Sequence, residues 1–331
     1  MGAKHTIRVR TVYFSVNRRS DQHHCQTGYQ TVKIPANRPS TEPTVDKVTS
    51  LPTYQLLDFG QGRKREWIAG RTIDRPCPVA TDIAPRQHPW PAADARFQPG
   101  AHHQGRWIYS RPWPATWLAP FRFGNLQLQC TPFGHTGLFA EQIANWEWMG
   151  QAGNRLAGLN LLNLFAYTGG STLAALAGGA SVTHVDSARN TVARARENAQ
   201  VSNLADRPVR WIVEDVCRFV QREIRRGNHY DGVILDPPTR GQGVSRGQIW
   251  KISQGLPALL RDLARLVPDC RFMLCTCHTS GFDAGLLARE VERFFPVPGH
   301  AEQFDMQLMC SDGRRLPAGH GLRWIPELGH N

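Results

Sequence analysis

Leu159-Asn160-Leu161-Leu162-Asn163-Leu164-Phe165-Ala166-Tyr167-Thr168-Gly169-Gly170 is an apolar run that ends in a glycine pair and opens onto the alanine-rich Ser171-Thr172-Leu173-Ala174-Ala175. A short apolar run, a glycine turn and a stretch of good helix formers predict strand, turn and helix in succession. Working outward, the pattern repeats. Strands are predicted at 159–164, 181–186, 209–213, 231–236 and 270–277, and helices at 171–178, 188–201, 215–226, 254–267 and 283–295. Such alternation builds a parallel sheet with helices on its faces, an α/β Rossmann-like class. Two more extended segments, 303–309 and 321–325, have no helix between them and predict a terminal antiparallel hairpin.

Upstream the texture differs. Strand-like Tyr54-Gln55-Leu56-Leu57-Asp58-Phe59, the turn Gly60-Gln61-Gly62, then Glu66-Trp67-Ile68 and Arg71-Thr72-Ile73 are followed by a second hairpin, Phe121-Arg122-Phe123, Gly124-Asn125, Leu126-Gln127-Leu128. They predict a small N-terminal β-rich module over 51–132, ahead of the α/β domain at 133–331. Its tryptophans, Trp90, Trp107, Trp113 and Trp117, are expected to pack its interior. Residues 1–50 keep neither a period of 2 nor of 3.6 and are expected to form a disordered extension. Met1-Gly2-Ala3-Lys4-His5-Thr6 formally fits a lipidation pattern, and the Arg-rich start faintly resembles a transit peptide.

With 41% hydrophobic and 20% charged residues the composition is that of a globular protein. No apolar run approaches the roughly 18 residues needed to span a bilayer, so no membrane partner is expected. The net charge of +12 suits a polyanionic partner such as RNA, although 1–50 alone hold eight Lys and Arg against three acids. Eight cysteines without a secretory signal imply reduced thiols and a cytoplasmic location. Nothing in the sequence sets an oligomeric state.

The strand ends carry the chemistry. In the glycine turn a ligand can approach the backbone, and the helix N-terminus favours a carboxylate. Asp186, at the end of Thr183-His184-Val185-Asp186, is placed to accept both hydroxyl protons of a ribose, and Asp215, after Val209-Arg210-Trp211-Ile212-Val213-Glu214, offers a second carboxylate at the same edge for an adenine amino group. A dinucleotide fingerprint is excluded by its spacing: after Gly169-Gly170 no glycine recurs until Gly178. The fourth strand runs into Asp236-Pro237-Pro238, where two prolines fix the backbone and hold the carboxylate and the loop carbonyls in one geometry. Such a rim can orient an acceptor beside a donor group.

These motifs resemble the bacterial class I methyltransferase family that includes the 23S rRNA cytosine-C5 and guanine-N7 methyltransferases. The resemblance covers roughly 54–326. It is carried by Phe133-Gly134-His135-Thr136-Gly137-Leu138-Phe139-Ala140-Glu141-Gln142, by Asn163-Leu164-Phe165-Ala166-Tyr167-Thr168-Gly169-Gly170, by His184-Val185-Asp186 and by Asp236-Pro237-Pro238. It implies a seven-stranded sheet, S-adenosyl-L-methionine as cofactor and methyl transfer to a base in structured RNA, most naturally rRNA. The cofactor-binding residues it implies are Thr136, Gly137, Phe139, Gln142, Phe165, Tyr167, Thr168, Gly169, Gly170, Asp186, Ser187, Asp215 and Asp236. The catalytic residues are Asp236, Pro237 and Pro238, with Cys277 as a candidate nucleophile.

Two departures matter. The named rRNA enzymes carry an RNA-binding PUA domain at the N-terminus, and 1–50 is neither long nor apolar enough for one. Protein or small-molecule methylation, and a non-catalytic cofactor-binding assembly factor, therefore stand as alternatives. Carbon-5 methylation also needs a thiolate that adds to carbon 6. Cys277, in Leu274-Cys275-Thr276-Cys277-His278-Thr279, lies where the cytosine enzymes have a Ser-Cys pair, and His278 could tune it. Direct attack by an amino nitrogen is the other route. It usually pairs with an aromatic after the prolines, where this chain has Thr239-Arg240-Gly241 and a guanidinium for stacking. Cys275-x-Cys277-His278 lacks zinc-site spacing and a fourth ligand, so no metal is expected.

Overall fold

The computed structural model describes residues 10–12, 27–29, 52–101, 104–242, 249–295 and 301–325. Contacts divide the chain into Met1–Ser50 and Leu51–Asn331. In the first unit, Arg10–Val12 pairs antiparallel with Thr27–Tyr29. The rest of the extension expected to be disordered, with its lipidation-like start, lies outside the described residues.

In the second unit the predicted alternation is present almost residue for residue. β1 (Tyr54–Gly60), β2 (Arg63–Ile68), β3 (Arg71–Pro76), β4 (Ala95–Pro99) and β5 (Gly105–Tyr109) form one five-stranded sheet in that order. Its first two turns are Gln61-Gly62 and Ala69-Gly70, each with both residues at positive φ, the conformation whose twist matches a tight hairpin. β6 (Trp117–Phe121) and β7 (Gly124–Leu128) make a separate hairpin. Its turn is Arg122-Phe123 rather than the expected Gly124-Asn125, because Phe123 is buried and stacks on Phe121.

Helix α1 (Ile143–Gln151), which the sequence pattern did not reveal, precedes the main sheet. Then follow β8 (Asn160–Leu164), α2 (Gly170–Ala177), β9 (Ser181–Asp186), α3 (Arg189–Val201), β10 (Val209–Val213), α4 (Val216–Arg225) and β11 (Gly232–Leu235). A short ribbon, β12 (Arg240–Gln242) with β13 (Ile249–Lys251), leads into α5 (Ile252–Leu266), β14 (Phe272–Cys277), α6 (Ala284–Glu292), β15 (Glu302–Met309) and β16 (Arg315–Trp324). The seven strands lie in the order β10-β9-β8-β11-β14-β16-β15. Only β16 runs against its neighbours, so the expected terminal hairpin is there and its second strand is inserted between β14 and β15.

Strand alternation divides the interior into two layers. Ile234, Phe272 and Leu274 join a core with Leu56, Ile68, Leu126 and Trp146, so the β-module covers one face of the main sheet. Val233, Leu235, Met273, Cys275 and Cys277 join the other, under α4, α5 and α6. Adjacent residues of one strand thus face different surroundings, as the two-residue period requires. Among the described residues no helix is long and apolar enough to cross a membrane.

Candidate active site

Asp236 stands one residue past β11, at the edge where β8 and β11 send their chains to opposite halves of the sheet. Open α/β sheets bind ligands at such crossovers. Its side chain is 26% exposed and gathers three donors. Oδ2 accepts from Gln142 Nε2 at 2.9 Å, and Oδ1 accepts from Thr276 Oγ1 at 2.7 Å and from His278 Nε2 at 2.9 Å. The other imidazole nitrogen, Nδ1, donates to the Ala318 carbonyl at 2.8 Å. With an acceptor on each nitrogen the ring carries both protons and is a cation.

The electrostatics agree. Burial alone would pull His278 down, but the Asp236 carboxylate, with Glu141 3.9 Å away and the Ala318 carbonyl, pushes it up to about 9. Burial alone would push Asp236 up; the His278 charge and the hydrogen bonds from His278, Thr276 and Gln142 hold it below the usual carboxylate range instead. Gln142 is oriented in turn. Its Oε1 accepts from Asn145 Nδ2 at 2.7 Å, and Asn145 Oδ1 accepts from Arg323 Nη1 at 3.2 Å.

The segment 136–142 reaches the site because it packs on the β8–α2 turn. Thr168 Oγ1 donates to the Gly137 carbonyl at 2.7 Å, and the Phe139 ring lies 4.8 Å from Tyr167 and 6.5 Å from His278. Phe165 and Tyr167 both hold positive φ, 54° and 48°, a conformation that bulky side chains resist. The turn is fixed by its neighbours: Ala166 N donates to the Val185 carbonyl, and Tyr167 N donates to Asp186 Oδ2 at 3.0 Å. Strain held by surrounding contacts is characteristic of functional loops. Burial raises the Asp186 carboxyl, partly offset by the amides of Ala188 and Tyr167. Ser187 beside it is exposed.

Some sequence-derived positions have another physical reason. A Cβ on Gly170 would lie 2.2 Å from the Trp146 ring of α1, so this glycine is required by packing and not only by the approach of a ligand. Gly169, at φ 88°, is the residue that the left-handed conformation demands. Asp215 lies along the same strand edge as Asp186, where it caps α4 by accepting from Arg218 N at 3.0 Å. Pro237 is buried and Pro238 exposed, and the Pro238 carbonyl accepts from Trp250 Nε1 at 2.7 Å. The aromatic missing after the prolines in the sequence thus arrives from β13, 5.2 Å from Phe165. Arg240 is exposed on β12, opposite Lys251.

Cys277 is fully buried on the far face of β14 from Thr276, among Met273, Cys275 and Leu322. Burial pushes its thiol up, which disfavours a thiolate. The chain therefore brings Phe139, Gln142, Phe165, Tyr167, Thr168, Gly169, Gly170 and Asp236 around one crevice, ties Gly137 and Asp186 to its turn by hydrogen bonds, buries Thr136 beside that segment, and sets Cys277 behind it. Thr276 and Asn145 were not foreseen, nor was His278 as the partner of Asp236. The usable signal for His278 was a polar residue just past a strand's carboxyl end. Among the described residues no group of three or more His, Cys, Asp or Glu could hold a metal ion.

The family model for S-adenosylmethionine-dependent methyltransferases matches residues 86–305. The chain belongs to this methyltransferase family. A SAM-dependent methyltransferase from Agrobacterium tumefaciens is similar in structure, with a TM-score of 0.75 and 32% identity over 84% of this chain and 92% of that one. The crystal structure of SMU.776 complexed with SAH shares the fold, at TM-score 0.65 and 18% identity, over 83% of this chain and 76% of that one. Among curated proteins, ribosomal RNA large subunit methyltransferase K/L of Hahella chejuensis is 29% identical over 50% of this chain. Ribosomal RNA large subunit methyltransferase I of Aeromonas hydrophila is 35% identical over 32%. The matches span only 22% and 26% of those two proteins.

The methyltransferase's cofactor is S-adenosylmethionine, and the crevice suits it. The Phe165–Gly170 turn lines the crevice with Phe139, Gln142 and Asp236, and the N-terminus of α2 that follows this turn carries no side-chain cap. Free helical amides are groups that a polar ligand satisfies.

Proposed function

We propose that the chain transfers a methyl group from S-adenosylmethionine to a base nitrogen of structured RNA, with rRNA the first candidate. The observation that carries this reading is the convergence of Gln142, Thr276 and His278 on Asp236 at the sheet crossover. The rRNA methyltransferases among its relatives support the substrate class.

The residues of the 136–142 segment, the Phe165–Gly170 turn, Asp186 with Ser187, and Asp215 would hold the cofactor. When bound, it supplies a methyl group on a positively charged sulfur. A carboxylate has about four lone-pair positions; Asp236 uses three, leaving one on Oδ2 for an N–H of the acceptor. Pro237 and Pro238 fix the backbone behind it. Kept ionised by His278, Asp236 would align the nitrogen and stabilise the positive charge that develops on it as the N–CH₃ bond forms while the sulfur–CH₃ bond breaks to leave a neutral thioether, the surplus N–H proton then passing to solvent. Nitrogen is preferred over carbon 5 because Cys277 is buried on the opposite face of β14.

The test is incubation with methyl-labelled S-adenosylmethionine and an extract of the host lacking the gene, split between nuclease and protease. Label released only by nuclease, and absent with Asp236→Ala, supports the proposal. Label released by protease, or found in small molecules, replaces RNA with another acceptor. Cofactor binding without any transfer would favour a non-catalytic assembly factor.

A further inference from the structure

The basic surplus of the second unit is not spread evenly. Residues 51–132 hold ten Lys and Arg against five acids, whereas 133–331 hold twenty-one against nineteen. In the β-module one cation stands apart. Arg71 is half-buried and forms no salt bridge among the described residues, and its Nη1 is buried without a hydrogen-bond partner. Its guanidinium lies 4.6 Å from the centroid of the Trp113 ring. Trp117 Nε1 is also a buried donor without a partner, and its ring is 5.2 Å from that of Trp113. Buried donors with no acceptor call for an acceptor-rich group, and beside the Arg71 cation an anionic one, since each orphan costs roughly 1–3 kcal/mol until it is satisfied.

The surroundings specify the anion further. Trp113 lines a surface concavity with Tyr109, Arg111 and Gln129. Tyr109 stacks on Trp113 at 5.2 Å and 26° between planes and is 42% exposed, so one face of an aromatic pair is open beside the cation. Tyr109 ends β5, an edge strand tied to the 131–135 loop: Gly105 N donates to the Pro132 carbonyl, and Trp107 Nε1 to the Thr131 carbonyl. That loop exposes Phe133 and His135, and the His135 ring is 6.0 Å from Phe139 at the active site. A run of aromatic faces with a cation at one end fits a single strand of nucleic acid, whose bases stack and whose phosphates take the charge.

We infer that this face is an RNA-docking surface: Arg71 holds a backbone phosphate, Tyr109 stacks a base, and Phe133 and His135 guide the strand toward Asp236. The inference rests on RNA being the substrate. Arg111 contributes less, because Asp94 already pairs with it at 2.8 Å.

The probe is a fluorescein-labelled oligouridylate, with binding followed by anisotropy at several salt concentrations. Calorimetric binding of S-adenosylhomocysteine serves as the check of folding. Tyr109→Ala and Arg71→Gln should each weaken oligouridylate binding about tenfold, Arg71→Gln should lower the salt slope by about one phosphate contact, and cofactor binding should not change. Tyr109→Phe, which keeps the stacking face, should bind as wild type does. If Arg71→Gln does not fold, the Tyr109 pair decides alone. Unchanged affinity in Tyr109→Ala, or no binding of oligouridylate by a wild type that methylates RNA, overturns the surface. A wild type that binds through these residues yet methylates no RNA overturns the substrate reading, and with it the guidance of a strand toward Asp236, and leaves only the contacts of Arg71 and Tyr109 with RNA.

Discussion

The pairing of His278 with Asp236 makes the acid and base behaviour of one residue depend on the other. His278 is held near 9 chiefly by the charge of Asp236. Asp236→Asn removes that charge, so the His278 ring, followed by its NMR titration, should move from about 9 back toward its ordinary value near 6.5. The sign of the stability effect follows from linkage. A His raised on folding stabilises fully below its unfolded value and loses that contribution as pH rises through 9. Asp236, which is lowered, contributes above its unfolded value and loses its share as the medium turns acid. The difference in melting temperature between wild type and His278→Gln should therefore be largest between about pH 5 and 6.5 and vanish above 9; a difference independent of pH would show that His278 is not charged in the folded protein. Since hydrogen bonds to charged groups contribute roughly 1.5–3 kcal/mol, His278→Gln should also slow methyl transfer about ten- to a hundredfold near neutrality. Cys277→Ala gives the opposite expectation. With its thiol buried on the far face of β14, turnover should stay within about twofold, and a loss beyond about a hundredfold would restore the covalent route.

At the level of elements, the decisive contact is between α1 and the start of α2. Trp146 lies over Gly170, and its Nε1 donates to Ser171 Oγ at 2.9 Å. Gly170→Ala places a methyl group 2.2 Å from the ring, and overpacking of this kind costs about 1–3 kcal/mol. At roughly 2–4 °C per kcal/mol for a unit of this size, the melting temperature should fall by several degrees, and Trp146→Leu in the same chain should recover part of the loss. The glycine pair was legible as a turn, because a glycine cluster between an apolar run and a helix former is a local signal. Its cause was not legible: Trp146 is 24 residues away, on a helix whose weak amphipathicity gave no sign of it. The β12–β13 ribbon is a similar case. Only the fold brings Trp250 to the Pro238 carbonyl.

At the scale of the whole molecule, one crevice collects residues from 139 to 236, with His278 bonded to its Asp236, and its occupancy should stabilise the entire second unit. A ligand at a hundredfold its Kd contributes about 2.7 kcal/mol, so saturating S-adenosylhomocysteine should raise the melting temperature by about 5–10 °C. Asp186→Ala should abolish most of that rise, and an undiminished rise would remove Asp186 from cofactor binding.

The sequence by itself determined the alternation of strands and helices, the order of acids at the strand ends and the Asp-Pro-Pro rim, because each is written in neighbouring residues through backbone periodicity and turn chemistry. The tertiary structure alone decided which of those groups act together. Gln142 is 94 residues from Asp236 and His278 is 42 residues beyond it, and no local pattern encodes that meeting. It also decided the face to which each β14 side chain belongs. Thr276 joins the site while Cys277, one residue on, is buried behind it, because a strand turns successive side chains to opposite sides of the sheet.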